Sequence, residues 1–436
     1  MTIRRLVSIG LAIATAAVAQ GPMHLTLADA ERLAVASNPR FQVSRLDAAA
    51  AHQVTEEQKS NLRPNVVGSI TGVGADSGSR LAAGALSNPA IYNRLASGLN
   101  ATQLLTDFGR TRNLATSADL RAQASDQSTL DTRAQILIAV DRAYFALLRA
   151  GAVLKVARET VNTRQLVADQ VTALAASNLR STLDVSFANV NLGQAKLLLS
   201  SAENEVHSGE ADLSAALGLP NTLPTALPNT LPSGFTLDET PLPDSLADQA
   251  EPLVEEAIRQ RPDLASLRLQ QSAAERFLTA EKDLSLPTIA LAGSAGFAPA
   301  GDLQVPGRFG AIGLNVNIPI FNGGLFRARR TEAELRAQSV TQSLLDLQNR
   351  VTRDVRVAWL AARTAFERLN LTAQVLAQAR LALDLSQQRY NLGLGSIIEL
   401  TQAQLNVTSA EIDSAAAKYD YQAQRSVLAF TVGALR

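Results

Sequence analysis

The sequence predicts a mostly α-helical chain with a small β part, in which two tandem repeats each contain a long α-helical hairpin and two strands. Three observations support this fold class. One stretch of the first half recurs in the second half, apolar residues keep helical spacing over unusually long segments, and four short segments look extended. Each repeat therefore supplies one hairpin and two of the four strands per chain.

The N-terminus has the composition of a cleaved export signal. Arg4 and Arg5 precede an apolar run from Leu6 to about Val18, and Ala17-Val18-Ala19 fits a cleavage site. The run is too short to span a bilayer, so we predict a signal peptide at 1–19 rather than a buried helix. No cysteine follows the cleavage point, so a lipid anchor there is excluded. No later stretch is apolar for long enough to predict a membrane-spanning helix, which leaves a secreted protein, a periplasmic protein or an outer-membrane barrel.

Two copies of one plan make up the mature chain. The stretch "ADLRAQ" at 118–123 returns as "AELRAQ" at 333–338, an offset of 215 residues, and the same offset pairs Gly218 with Gly433. A constant offset over so long a distance is not expected by chance. The predicted domains are, in chain order, a signal peptide at 1–19, a first repeat at 20–218, a Pro-rich connector at 219–250 and a second repeat at 251–436.

Each repeat is predicted to have the same order of elements. A helix of medium length comes first and is broken at a proline, Pro39 in the first repeat and Pro262 in the second. Two extended segments, a very long helix, a short break and a returning helix follow. The broken helices are predicted at 27–62 and 252–284, and the helical hairpins at 110–217 and 325–433. The strands are predicted at 65–74 and 96–106 in the first repeat (together 65–106), and at 287–297 and 309–320 in the second (together 287–320).

The first helix of each hairpin is unusually long. Roughly 65 residues at 1.5 Å per residue give about 100 Å. A helix of that length needs lateral partners. Leu344, Leu347, Val351, Val355 and Ala358 keep steps of three and four residues, which indicates a coiled-coil-like seam, although an ordinary helical bundle has similar spacing.

The segment "FGAIGLNVNIPIFNGG", from Phe309 to Gly324, alternates between an aliphatic face and a small or polar face. Such a strand fits either the wall of a membrane barrel or a soluble β-hairpin packed on the helices. The export signal and the long helices favour the barrel, and three chains would pool twelve strands around a passage. The residues predicted to face lipid are Ile312, Leu314, Val316, Ile318 and Ile320.

Composition excludes several classes of protein and site. The chain carries 40 basic and 40 acidic side chains, and a neutral chain is not expected to bind nucleic acid. It has no cysteine, which excludes thiolate metal sites, and His24, His52 and His207 lack metal-ligand spacing. No nucleophile, phosphate-binding or dinucleotide motif is found, so we expect no enzyme activity, no metal and no cofactor.

In its motifs the chain resembles the TolC-like outer-membrane efflux proteins, the exit ducts of tripartite export systems. The resemblance covers essentially the whole mature chain and rests on the duplication and on "LTLADAERLAVASNPRF", "LTDFGR", "IPIFNGG", "AYFALL" and "RYNLGLGSIIELTQAQLN". It implies a homotrimer with a shared 12-stranded transmembrane β-barrel in outer-membrane lipid and an α-helical tunnel in the periplasm. It also implies an equatorial band formed partly by the connector. Finally, it implies docking of a periplasmic adaptor (membrane fusion) protein and of an inner-membrane pump, of the resistance-nodulation-division or ABC type.

The resemblance further implies a constriction at the periplasmic end of the helices. The family narrows there with acidic side chains after the second hairpin turn, at positions matched by Glu399 and Gln402, of which only Glu399 is acidic. Three copies of Glu399 would form a carboxylate ring, although a glutamate at a helix start is also favoured by the helix dipole. The family latches neighbouring turns with polar contacts, which here implies a hydrogen bond from Tyr390 to Asp184. The basic latch residue expected near Gly395 is missing.

The turns of the two hairpins are the docking sites that the resemblance implies for the adaptor. The second turn matches the family well, whereas the first lacks the usual glycine and offers Asn178, which tolerates left-handed φ. Leu392 and Leu394 indicate an interface if they are exposed, or pack between neighbouring helices. The predicted docking residues are Asn178, Leu179, Arg180 and Ser181 in the first turn and Asn391, Leu392, Gly393, Leu394, Gly395 and Ser396 in the second.

The predicted function is an outer-membrane exit duct for small molecules or proteins, gated at its periplasmic helical end. The alternative interpretation is a soluble periplasmic coiled-coil adaptor or scaffold. Such an adaptor typically has one hairpin and compact β domains, whereas this sequence predicts two hairpins and four strands. Recovery in the soluble periplasm without detergent would favour the scaffold. The sequence does not name the cargo, because similar ducts pass drugs, metals and proteins.

Overall fold

The structure of the protein is a computed structural model. It describes residues 23–74, 94–219, 235–242, 246–300 and 307–435. The predicted signal peptide at 1–19 lies outside the described residues, as does most of the Pro-rich connector.

The chain is mostly helical with few strands, as predicted. The helices are α1 (Leu27–Ser37), α2 (Pro39–Ser60), α3 (Arg110–Ala176), α4 (Thr182–Leu217), α5 (Glu251–Gln260), α6 (Pro262–Lys282), α7 (Leu325–Asn391) and α8 (Ile397–Val432). The strands are β1 (Met23–Leu25), β2 (Asn65–Val73), β3 (Arg94–Thr106), β4 (Phe235–Leu237), β5 (Thr288–Ala300) and β6 (Arg308–Asn317). Within the described ranges, none of the helices is both long and apolar enough to cross a membrane.

The sequence repeat is visible in the elements. α3 and α7 are 67 residues long, α4 and α8 are 36 residues long, and every bound in the second hairpin lies 215 residues after its counterpart. The prolines that begin α2 and α6 explain the paired breaks, because proline is tolerated at the first helical position and disfavours helix in the residue before it. Glycines in the left-handed region end both returning helices, Gly218 at φ 68° and Gly433 at φ 85°.

The described chain forms two compact units that do not coincide with the two repeats. Each unit draws its segments from both repeats. Unit 1 contains the described residues of Met1–Ser37, Ala139–Ser245 and Ala365–Ala423, and unit 2 contains those of Asn38–Ile138, Leu246–Thr364 and Gln424–Arg436.

Unit 2 contains a four-stranded antiparallel sheet in the order β2-β3-β5-β6. Each repeat contributes one β-hairpin, β2–β3 from the first and β5–β6 from the second, and the pairing of β3 with β5 joins the two. The helices next to these strands in sequence contact one another in the corresponding order, α2-α3-α6-α7. Side-chain contacts connect α2 to α3 (Ser44 to Thr129, 3.0 Å), α3 to α6 (Ser117 to the Ala273 carbonyl, 2.7 Å) and α6 to α7 (Gln271 to Thr341, 3.2 Å).

The register of the sheet gives it one aliphatic face. Residues paired across strands share a face, and side chains alternate along each strand. Ile312 pairs with Gly293, which pairs with Ala101, which pairs with Val66. The aliphatic face therefore carries Val66, Ile70, Leu99, Ile289, Leu291, Ile312, Leu314 and Val316, with Ser97 and Gln103 among its polar members. The opposite face carries Ser69, Thr71, Asn100, Thr102, Ser294, Asn315 and Asn317, with Val67 and Phe309 among its large apolar members.

Large side chains of the aliphatic face are open to solvent in the single chain. Ile70 is 82% exposed and Ile312 is 77% exposed. Burying an exposed aliphatic side chain contributes about 1.5–3 kcal/mol, so a face of this kind favours contact with lipid or with another protein.

Strand β6 is shorter than predicted. It ends at Asn317, whose partner Thr288 is the first residue of β5. Ile318 and Ile320, which were predicted to continue the strand, therefore lie beyond it and are exposed. The reason is that Pro287 and Pro319 lack the N–H groups that would extend the ladder on the two strands.

Glycines on the polar face make room for Phe309. Its ring lies against Gly296 on the adjacent strand and close to Gly98 on the next one. A Cβ atom at Gly296 would collide with the Phe309 ring and with the Ser97 carbonyl oxygen. This cross-strand packing of an aromatic ring on glycine explains why small residues occur where strand propensity disfavours them.

Unit 1 contains the turns of both hairpins and a small parallel pair of strands, β1 and β4, that the sequence did not predict. The hydroxyl of Tyr144 lies at the C-terminal end of both strands and donates to carbonyl groups there, because its oxygen lies 3.0 Å from the Leu25 carbonyl and 2.8 Å from the Asp238 carbonyl. Burial raises the pKa of Tyr144 to about 12.

Candidate functional site

The first hairpin turn is built by local backbone chemistry. Asn178 takes the left-handed conformation at φ 58°, which lets the chain reverse after α3. Ser181 and Asp184 then form a capping box, because the Ser181 hydroxyl accepts from the Asp184 amide and the Asp184 carboxylate accepts from the Ser181 amide, both at 3.2 Å.

The second turn repeats this geometry. Gly393, the repeat counterpart of Asn178, has φ 77°. Ser396, the counterpart of Ser181, accepts a hydrogen bond of 3.1 Å from the Glu399 amide. Glu399 is the counterpart of Asp184, so both acidic residues occupy the first turn of a returning helix, where the dipole favours a negative charge.

The two turns are joined by Arg180 and Tyr390. The Arg180 guanidinium carbon lies 4.1 Å from the centre of the Tyr390 ring. The same guanidinium donates a hydrogen bond of 2.8 Å to the Tyr390 carbonyl oxygen at the end of α7. Arg180 therefore forms a basic contact between the two turns.

The predicted hydrogen bond from Tyr390 to Asp184 is not formed. Tyr390 is only 5% exposed, and its hydroxyl has no hydrogen-bond partner among the described residues. The prediction was wrong because Asp184 is already engaged in its own capping box. Burial raises the pKa of Tyr390, the Arg180 charge opposes this rise, and the Asp184 charge adds to it.

An apolar cluster holds Tyr390 in place. It comprises Tyr390, Ile397 and Leu400, with Phe187 and Leu383 packed against it. The second turn is therefore anchored to the start of both returning helices, and movement of either helix would disturb the ring.

The two predicted constriction residues have partners on their own hairpin. Glu399 forms an ion pair of 3.2 Å with Arg389, and both side chains are about half exposed. Gln402 donates a hydrogen bond of 3.0 Å to Asn406, one turn further along α8. A carboxylate ring, which needs three chains, stays a prediction. The ion pair with Arg389 was not anticipated from the sequence, although the two residues flank the same turn.

The predicted docking residues lie in the two turns, apart from Asn391, which is the last residue of α7 and is also exposed. Leu179 is 69% exposed, Leu392 is 72% exposed and Leu394 is 70% exposed. Leu179 and Leu394 are repeat counterparts, so each turn presents an equivalent leucine. In the single chain these leucines do not pack between helices, which was the other possibility raised by the sequence.

Sequence comparison relates the chain to known proteins. The family model for outer membrane efflux proteins matches residues 32–219 and 253–434. The outer membrane protein TolC of Salmonella enteritidis is 24% identical over 432 residues, which cover 94% of this chain and 83% of that protein.

Solved structures share the fold. A membrane protein from Pseudomonas aeruginosa has a TM-score of 0.78 at 22% identity and covers 93% of both chains. VceC from Vibrio cholerae has a TM-score of 0.77 at 17% identity, over 93% of this chain and 96% of that chain. At these identities the likeness concerns the fold alone.

Proposed function

Because the chain belongs to the outer membrane efflux protein family, we propose that three copies assemble into an exit duct with one shared barrel of twelve strands. The single observation that carries this proposal is the aliphatic face that continues across all four strands of unit 2. In the barrel this face contacts the hydrocarbon of the outer membrane, and the opposite face of hydroxyl and amide side chains lines the passage.

The edges of the sheet support a closed assembly of several chains. Among the described residues, β2 and β6 each pair on one side only. Unpaired strand edges inside a bilayer are costly, because lipid offers no hydrogen-bond partners to the backbone. Four strands are too few to close around a passage, whereas β6 of one copy pairing with β2 of the next closes a threefold ring.

The helical hairpins form the periplasmic part of the duct. We assign export to the signal peptide at 1–19 and an equatorial position to the connector at 219–250. The two repeats at 20–218 and 251–436 each supply one hairpin to the tunnel wall. The long α3 and α7 fit this role, because helices of 67 residues need lateral partners along their length.

The turns are the proposed docking surface for a periplasmic adaptor, which in turn engages an inner-membrane pump of the resistance-nodulation-division or ABC type. Exposed leucines at equivalent positions of both turns, Leu179 and Leu394, support an interface. The pump selects the cargo, so the duct itself passes small molecules or proteins without chemistry of its own.

The gate of the duct lies at the same turns. Arg180 ties the first hairpin to the end of α7 through Tyr390, which keeps the two hairpins of one chain together. Release of this contact frees the second hairpin to move outward. Glu399 contributes negative charge near the mouth and is partly balanced by Arg389.

Planar bilayer recording tests the proposal. Purified protein in detergent should behave as a trimer by native mass spectrometry and should produce stepwise conductance in a lipid bilayer. A single-chain particle that stays in solution without detergent and gives no conductance would contradict the duct and support the periplasmic scaffold.

A further inference from the structure

An open cavity of about 570 Å³ lies at the surface of unit 2 between α3, α6 and α7, and both of its arginines are exposed. Its polar lining combines two arginines, three serines and one glutamine, and no carboxylate lines it. The volume is that of a small-molecule site. The polar lining residues are Arg121, Ser125, Ser128, Gln270, Arg336 and Ser339.

The two arginines are repeat counterparts. Arg121 belongs to "ADLRAQ" and Arg336 to "AELRAQ", 215 residues apart. The duplication therefore places one arginine on α3 and its counterpart on α7, and both line the cavity. Two guanidinium groups around one space form a fork for a carboxylate or a phosphate.

Neighbouring groups orient both guanidinium groups without using all of their donors. The guanidinium carbon of Arg121 lies 5.6 Å from the centre of the Phe277 ring. Arg336 forms an ion pair of 2.6 Å with Glu332 on its own helix. A guanidinium has five N–H donors, so each arginine keeps donors for an anion in the cavity.

The remaining lining suits an amphipathic ligand. The hydroxyls of Ser125 and Ser339 have no hydrogen-bond partner among the described residues and can donate to an anionic head. Ala124, Ala274 and Val340 provide an apolar wall for a short hydrocarbon part.

We propose that this cavity binds a small organic anion, with its phosphate or carboxylate between Arg121 and Arg336 and its apolar part on Ala274 and Val340. The site would hold anionic cargo in transit, and this assignment to cargo rests on the proposed function. Binding itself does not rest on it, since it needs only the geometry of unit 2.

Isothermal titration calorimetry with hexyl phosphate tests the proposal on the mature protein in neutral detergent. We expect one site per chain, with hexanol and inorganic phosphate each binding at least roughly tenfold more weakly, because each lacks one half of the ligand. The double variant Arg121→Gln/Arg336→Gln should weaken hexyl phosphate binding at least roughly tenfold.

A matched control uses a second pair of repeat counterparts. Arg112→Gln/Arg327→Gln removes the same charge from the starts of α3 and α7, outside the cavity, and should change the affinity by less than about twofold. Equal loss in both double variants would overturn the proposal, because it would show general attraction of anions to a basic surface. Equal affinity for hexanol would also overturn it. An absence of conductance in the wild-type protein would instead contradict the proposed duct and would not affect the binding result.

Discussion

The guanidinium of Arg180 stacks on the ring of Tyr390, 4.1 Å from its centre, and donates a hydrogen bond to the Tyr390 carbonyl oxygen. Arg180 comes from the turn of the first hairpin and Tyr390 from the end of α7 in the second. One side chain therefore connects the two hairpins of a chain at the level of the turns.

Arg180→Gln should open the duct. A cation–π contact contributes about 0.5–2 kcal/mol, and its loss shifts the balance between closed and open forms in favour of the open form. Planar bilayer recording should show a higher open fraction or a larger conductance than in the wild type. The matched control is Arg158→Gln, which changes an exposed arginine on α3 away from the turn and should have no effect. Identical currents for Arg180→Gln and the control would remove Arg180 from the gate.

Tyr390→Phe should leave the protein at least as stable as the wild type. The Tyr390 hydroxyl is buried without a partner among the described residues, and removing an unsatisfied polar group is neutral or stabilising. Tyr390→Ala, which also removes the ring from its apolar cluster, should cost about 3 kcal/mol. Thermal unfolding of the two variants separates these effects. Marked destabilisation by Tyr390→Phe would mean that the hydroxyl forms a latch after all.

Glu399→Ala should weaken the block of conductance by divalent cations, and Arg389→Gln should strengthen it. The reason is that the ion pair of 3.2 Å between these residues masks part of the carboxylate charge at the mouth. Blocking concentrations measured in planar bilayers would move in opposite directions for the two variants. If neither variant changes the block, Glu399 does not lie at the constriction.

Alkaline pH should weaken unit 1 through Tyr144. Burial raises the pKa of Tyr144 from 10.0 to about 12, so the phenol keeps its proton longer in the folded protein. The stabilisation that this shift reflects is fully present below pH about 10 and is lost as the pH rises through about 12. Tyr144→Phe should remove this part of the pH dependence and cost about 1–3 kcal/mol at neutral pH, because two carbonyl groups lose their donor. Tyr419, whose pKa is also raised to about 12, should still titrate in the variant. An unchanged alkaline transition in Tyr144→Phe would contradict this account.

Helix boundaries could be predicted because their causes are local. Pro39 and Pro262 begin helices and disfavour helix in the residue before them, and Gly218 and Gly433 end the returning helices. The repeat offset then transfers each boundary from one half of the chain to the other. Such signals need no knowledge of tertiary contacts.

Strand ends and the latch could not be predicted in the same way, because they depend on distant residues. The end of β6 depends not only on Pro319 in the same segment but also on Pro287, which directly precedes the partner strand β5. The latch depends on whether the Asp184 carboxylate accepts from the Tyr390 hydroxyl or from the Ser181 amide. In the structure it accepts from the Ser181 amide in its own turn. Arg180 was available as a signal, because it is a basic residue in the first turn, opposite the turn that lacks one.

The central claim is that the aliphatic face of the sheet lies in lipid, and spin labels along β6 test it most directly. The chain has no cysteine, so single cysteines introduced at 311–316 carry the only labels. In reconstituted vesicles, labels at Ile312, Leu314 and Val316 should collide mainly with lipid-soluble oxygen. Labels at Ala311, Gly313 and Asn315 should collide mainly with a water-soluble nickel chelate. The same collision pattern at all six positions would contradict the membrane barrel.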